Sequence, residues 1–311
     1  MALKDHSAIT EFILLGLSSD PNIQALLFLL FLGIYLLTFM GNLIMLLVIR
    51  TDSYLHTPMY FFLSHLSFLD LCFSSVSVPK MLENLLSQKK TISQPLLVRC
   101  CLIQIFFVLI TGGTEGLLLS VMAYDHYAAI CYPLLYGQMM SKQRYVQLVW
   151  GSWGLSFLDA FINVLLAVKM DFCDTCIIPH YSCELPSIFP LSCSDVSTNF
   201  IVMLCSFIPH GLITSLSIFF SYICIISTIL SISSTSGRSK PFSTCSSHLT
   251  AVIFFYGSAF LRYFMPTSGS PLELIFSVQY GVITPMLNSL IYSMKNKEVK
   301  AAVRRKLRKI L

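Results

Sequence analysis

Seven stretches of apolar residues, each nearly free of charge, punctuate the chain, and polar or basic clusters separate them. They fall at residues 25–49, 59–79, 100–124, 145–168, 196–230, 241–261 and 272–294. A helix needs roughly 20 mainly apolar residues to cross the hydrocarbon core of a bilayer, and each stretch supplies them. The second carries Asp70 as its one charged residue, the third Glu115 and the fourth Asp159, and the last is free of charge from Leu274 onward. Every backbone polar group in lipid must bond within its own element, so these runs read as helices and not as open sheet. The expected fold is an all-α membrane protein, a bundle of seven transmembrane helices.

After Met294, the residues Val299, Val303, Leu307 and Leu311 recur at four-residue spacing among basic residues. That spacing predicts a short amphipathic helix, lying on the inner leaflet with its cations near anionic lipid. Lys and Arg concentrate on the cytoplasmic side of membrane proteins. With the N-terminus outside, 13 of the 20 basic residues fall inside, eight of them between Lys295 and Lys309. Residues 1–24 are therefore expected outside the cell and residues 295–311 in the cytoplasm, which places a multi-pass protein in the plasma membrane. The apolar stretch Phe12–Leu17 is too short for a cleavable signal, so the first long helix is expected to direct insertion.

Composition agrees. Hydrophobic residues make up 55% of the 311 and charged residues 11%, about half the charged share of an ordinary globular domain. A mean hydropathy of +0.75 points to lipid as the solvent. No linker divides the chain, so residues 1–311 read as a single domain. The net charge of +5 reflects the basic tail, a membrane-surface feature, and does not point to nucleic acid.

Among the 11 cysteines, Cys173, Cys176, Cys183 and Cys193 crowd the loop between the fourth and fifth runs, and Cys101 stands at the outer end of the third. An exterior loop is oxidising, and no second Cys-x-x-Cys or His pair completes a zinc set around His180, so disulfides are expected and no metal site. Four cysteines allow three pairings, and spacing does not choose among them.

Several motifs in order resemble those of the odorant receptor family, within the rhodopsin-like G-protein-coupled receptors. They are Gly41-Asn42, Pro58-Met59-Tyr60-Phe61-Phe62-Leu63-Ser64, Met122-Ala123-Tyr124-Asp125-His126-Tyr127, Ser221-Tyr222, Lys240-Pro241-Phe242-Ser243-Thr244-Cys245-Ser246-Ser247-His248-Leu249 and Pro285-Met286-Leu287-Asn288-Ser289-Leu290-Ile291-Tyr292-Ser293. Glu11-Phe12-Ile13-Leu14-Leu15-Gly16-Leu17 resembles the tetrapod class II branch, tuned mostly to airborne apolar odorants. The resemblance implies a receptor, not an enzyme, that binds a small volatile and activates a stimulatory heterotrimeric G protein to raise cyclic AMP. It also implies the disulfides Cys101–Cys183 and Cys173–Cys193, which leaves Cys176 over.

Three groups of residues would carry this activity. Asp70 and Glu115 are acids at bilayer depth, which must face the interior and share a partner. The resemblance places them beside Asn288, where a sodium ion or a proton would relieve their repulsion; a neutral hydrogen-bonded cluster is the alternative. By position, Ile105, Val108, Leu109, Gly112, Gly113, Ser206, Phe207, His210, Tyr256, Ala259 and Gly281 would line a mostly apolar ligand cavity, with the two adjacent glycines leaving room at its floor. Helix packing accounts for each of these residues equally well. Val108 occupies the position where amine receptors place a counter-charge, which argues against a cationic ligand.

Asp125, His126 and Tyr127 occupy the place of the family's Asp-Arg-Tyr, with Tyr222 and Tyr292 free to meet on activation. Histidine cannot make the forked contacts of arginine. Ser289 replaces the usual proline of the seventh helix and would stiffen the end that moves. No Asn-x-Ser/Thr occurs, so no N-glycan is expected. A weakly signalling ligand binder is therefore a second reading, and a proton-coupled transporter using Asp70 and Glu115 a remote one. No nucleophile–base–acid motif supports an enzyme.

Overall fold

The computed structural model describes residues 11–14, 20–86, 91–171, 177–178, 183–232, 235–264, 271–295 and 297–310. The long helices are α1 (Pro21–Thr51), α2 (Pro58–Leu86), α3 (Gln94–Cys131), α4 (Lys142–Val168), α5 (Ser197–Ser231) and α6 (Thr235–Phe264). Each of these six is long and apolar enough to cross a membrane. The seventh, α7, follows without a break as Pro271–Val278, a π turn Gln279–Ile283 and Thr284–Lys295. The last, α8, is Lys297–Ile310.

The helices exceed the expected spans at most ends because local signals extend them. Asp20 caps α1 by accepting from the Asn22 amide at 2.8 Å, with Pro21 in the first turn where its missing N–H costs nothing. Pro58 likewise opens α2. The long fifth run is one helix in two α segments, joined by a π turn at Ile208–Ile213 that contains Pro209, His210 and Gly211.

Helix α3 is the axis of the bundle and packs against α2, α4, α5 and α6. The main core lies around it, with Leu63, Leu66, Leu118, Leu119, Met122, Ile225 and Ala251 buried together. A second core sits at the disulfide end, where Ile105, Ala167, Met170, Leu185 and Ile188 surround Cys101 and Cys183. Outward faces are apolar as well: Leu26, Leu29 and Leu37 of α1 are 67%, 66% and 61% exposed. Such a belt is untenable in water and is what lipid requires.

A small sheet departs from the all-helical expectation. Strand β1 (Glu11–Leu14) pairs antiparallel with β2 (Thr91–Ser93) and parallel with β3 (Ile177–Ile178). It lies outside the apolar runs, at the ends of segments that lead into α3 and toward α5, where the rule against open edges in hydrocarbon does not apply.

Cys101 and Cys183 are joined, tying the loop before α5 to the start of α3. Cys193 is also disulfide-bonded, and its partner lies outside the described residues, as do Cys173 and Cys176. At the opposite end α8 docks on the bundle through Val299 and Ala302, both buried. Arg305 reaches Asp52 Oδ2 with Nη2 at 2.7 Å and Nε at 3.1 Å, Lys306 Nζ donates to the Thr51 carbonyl at 2.9 Å, and Tyr60 donates to Glu298 at 2.8 Å.

Candidate functional site

The polar centre joins α2, α3 and α7. Asn288 Nδ2 donates to Glu115 Oε1 at 2.8 Å and to Asp70 Oδ1 at 3.2 Å, using both amide protons. Asp70, Glu115 and Asn288 are 1%, 7% and 2% exposed. Asp70 Oδ2 is buried with no hydrogen-bond partner. Two carboxylates on one amide at bilayer depth cannot both be ionised without a further positive charge or a shared proton.

Toward the α8 end, a chain of aromatic side chains links α3, α5 and α6. His248 presents Nε2 to the Leu119 carbonyl at 3.1 Å and Nδ1 to the Tyr222 hydroxyl at 2.8 Å. The carbonyl accepts only, so Nε2 carries the proton and Nδ1 accepts from Tyr222. The same hydroxyl lies 3.1 Å from the Cys245 carbonyl. Tyr222 is thus already engaged, whereas the Tyr292 hydroxyl is buried without a partner. His126, 5% exposed, turns Nδ1 back to the Met122 carbonyl of its own helix at 2.6 Å and stacks on His248. Its neighbour Asp125 accepts instead from Tyr136 at 2.8 Å, and Tyr127 packs edge-on to Tyr132.

The candidate ligand residues divide. Ile105 and Val108 are buried, and Leu109 packs on the disulfide-end core. Gly112 and Gly113 do not leave open space. A Cβ at Gly112 would stand 2.5 Å from the Tyr280 hydroxyl, and one at Gly113 would stand 3.0 Å from Ser156 Oγ and 3.1 Å from His210 Nδ1. These glycines admit protein side chains, a correction to the expectation of a roomy floor.

Tyr256 donates to the Gly116 carbonyl at 3.1 Å, Ala259 packs on the main core, and Gly281 is buried within the π turn of α7. Phe207 is 41% exposed and covers Gly211 on its own helix, so it is not brought to the others. Ser206 and His210 meet residues of α4 that the motifs do not mark. Ser206 donates to Asp159 Oδ1, Asn163 Nδ2 donates to the same oxygen at 3.2 Å, and His210 Nε2 lies 3.7 Å from Asp159 Oδ2. The available signal was an acid inside the fourth apolar run with a polar residue one turn on either side, Ser156 and Asn163.

The comparisons with known proteins decide the family. The olfactory receptor family profile matches residues 31–309. The chain belongs to the olfactory receptor family. It is 72% identical over 300 residues to human olfactory receptor 8S1, covering 96% of this chain and 82% of that one. It is 48% identical over 314 residues to mouse olfactory receptor 5G9, covering 99% and 98%. Squid rhodopsin, at 19% identity, superposes with a TM-score of 0.72 over 93% of this chain and 81% of its own, which establishes the seven-helix fold. This olfactory receptor is accordingly a multi-pass membrane receptor and not an enzyme. Within it, the imidazole of His126 stands where the motif of the wider family has an arginine.

Proposed function

We propose that the protein is an odorant receptor that takes a small, mostly apolar volatile into the helix bundle and activates a stimulatory heterotrimeric G protein, raising cyclic AMP. Its N-terminus and disulfide-bonded loop face outside, and α8 faces the cytoplasm with its cations at the inner leaflet. The observation that carries this reading is the set of three polar clusters buried between the helices that pack around α3. Asp159, Ser206 and His210 stand toward the disulfide end, Glu115 meets Asp70 and Asn288 in the middle, and His248 joins Tyr222 toward α8. Such contacts give two alternative packings a physical basis, and a ligand that favours one shifts the population.

Asp70 Oδ2 is the open acceptor at which a sodium ion or a shared proton stabilises the resting packing. A neutral cluster would leave that oxygen to a proton alone. The test is an odorant-dependent rise in cyclic AMP in cells expressing the chain, and its absence in cells without the stimulatory G protein. Substrate flux into vesicles lacking any G protein would instead support a carrier.

A second reading is favoured by His126. Buried and bonded within its own helix, it has no guanidinium to fork onto Asp125, which accepts from Tyr136 instead, so the receptor binds ligand while signalling weakly. Comparing His126→Arg with wild type at matched surface expression separates the two readings.

A further inference from the structure

We propose that α8 is a docking helix for a calcium-loaded EF-hand protein, an acidic partner that closes round a basic helix from the cytoplasm. The proposal goes beyond the odorant reading and rests on one part of it, the cytoplasmic placement of α8.

Seven of the 14 residues Lys297–Ile310 are Lys or Arg, and one, Glu298, is acidic. Val299, Val303 and Leu307 recur at every fourth position, so the helical register places them on one face. The cations are not confined to the opposite face. Lys300, Arg304 and Arg308, also four apart, form an exposed row along one side. Arg305 and Lys306 instead reach back to Asp52 and to the Thr51 carbonyl at the end of α1.

A flat bilayer neutralises the cations on the side of a helix that it touches. Charge on several sides is matched by a partner that encloses the helix, with an apolar cleft for the spaced side chains and acidic walls for the cations. An EF-hand protein offers both, and its cleft opens when calcium binds. The charge pattern therefore selects this partner over lipid alone.

The helix is also held in a way that permits release. Val299 and Ala302 are buried against the bundle, but both side chains are small, and Val303 is only partly buried. The Arg305 guanidinium donates twice to Asp52 Oδ2, yet its side chain stays 46% exposed. A carboxylate of the partner can take over this guanidinium from its open side, which turns the resting contact with α1 into a contact with the partner.

The test uses the full chain in nanodiscs of phosphatidylcholine, which carries no net charge, titrated with fluorescent calmodulin as the probe. Calcium should give saturable binding, and a calcium chelator should abolish it. Arg304→Gln combined with Arg308→Gln, at two exposed positions, should weaken binding about tenfold. Asp52→Asn should tighten it about threefold by freeing Arg305. Phosphatidylserine in the disc should weaken it, because anionic lipid competes for the same cations. Absence of calcium-dependent binding in neutral discs, or binding indifferent to the paired Arg304 and Arg308 substitutions, overturns the proposal and leaves α8 as a membrane-surface helix. Binding to the outer face of right-side-out vesicles would instead overturn the orientation on which the proposal rests.

Discussion

The imidazole rings of His126 and His248 lie stacked, their centroids 5.2 Å apart and their planes 28° from parallel, at the centre of the contact between α3 and α6. His248 in turn lies nearly parallel to the Tyr222 ring, 5.9 Å away at 6°. The stack joins α3, α5 and α6, and arginine at 126 would replace the compact imidazole with a longer, always-charged guanidinium suited to a forked anionic partner. His126→Arg should therefore loosen the resting contact and supply the cation that His126 lacks. The expected result is a rise of about tenfold in cyclic AMP at matched surface expression, the equivalent of one charge-assisted hydrogen bond. An unchanged response would remove His126 as the cause of weak coupling.

The polar centre makes a second prediction. If a sodium ion sits against Asp70 Oδ2, raising sodium against a potassium background should raise the unfolding temperature of the wild type. Asp70→Asn and Glu115→Gln should each abolish that sodium response and alter basal signalling. A wild type indifferent to sodium would exclude the ion and leave a shared proton or the neutral cluster.

Gly112 and Tyr280 form a close contact that can be tested by paired substitution. Gly112→Ala places a methyl 2.5 Å from the Tyr280 hydroxyl, and overpacking of this kind costs about 1–3 kcal/mol. Thermal unfolding should report that loss, and Tyr280→Phe should restore part of it in the double variant. Equal losses in the single and double variants would show that the hydroxyl is not the obstacle.

The docking of α8 should respond to acid. The bond from Arg305 holds the Asp52 carboxyl below its ordinary value of 3.8. A depressed value means that the ionised carboxylate favours the folded state, so its contribution is complete above the ordinary value and fades as pH falls through the lower, folded one. A fluorescent probe on α8 should report a docked helix from neutral pH to about pH 4 and release only below that. Arg305→Gln should weaken docking already at neutral pH; a helix that stays equally docked in this variant and in acid would show that Val299 and Ala302 suffice.

Much of the architecture was legible in the sequence because lipid imposes a simple rule. Apolar runs of spanning length must be helices, so seven of them appear near their expected places, and the family resemblance placed Asp70 and Glu115 beside Asn288, whose amide bonds both. The longer helix ends, by contrast, depend on caps such as Asp20, and the π turns in α5 and α7 depend on packing that no periodicity announces. The sheet formed by β1, β2 and β3 was missed because its strands are only 4, 3 and 2 residues long.

The candidate site was legible where a motif carried it and hidden where partners came from separate helices. Asn288, Tyr222 and His126 stand in recognisable strings. The meeting of Asp159 with Ser206 and His210 spans 47 and 51 positions of sequence, and only the packing of α4 on α5 creates it. Ser289, expected to stiffen α7, bonds the Met286 carbonyl through its hydroxyl at 2.9 Å, and the π turn Gln279–Ile283 interrupts the regular α pattern upstream.

The sequence alone determined that this is a helical membrane protein of the olfactory receptor family, because hydropathy and motif order are local properties of the chain and lipid leaves few ways to satisfy a backbone. Tertiary structure decided which polar atoms meet. It filled the space beside Gly112 and Gly113 with Tyr280 and His210, stacked His126 on His248, and left Ser156 and His210 unsatisfied. Those outcomes depend on the relative rotation of neighbouring helices, which brings distant positions within a few ångströms and which no single stretch of sequence specifies.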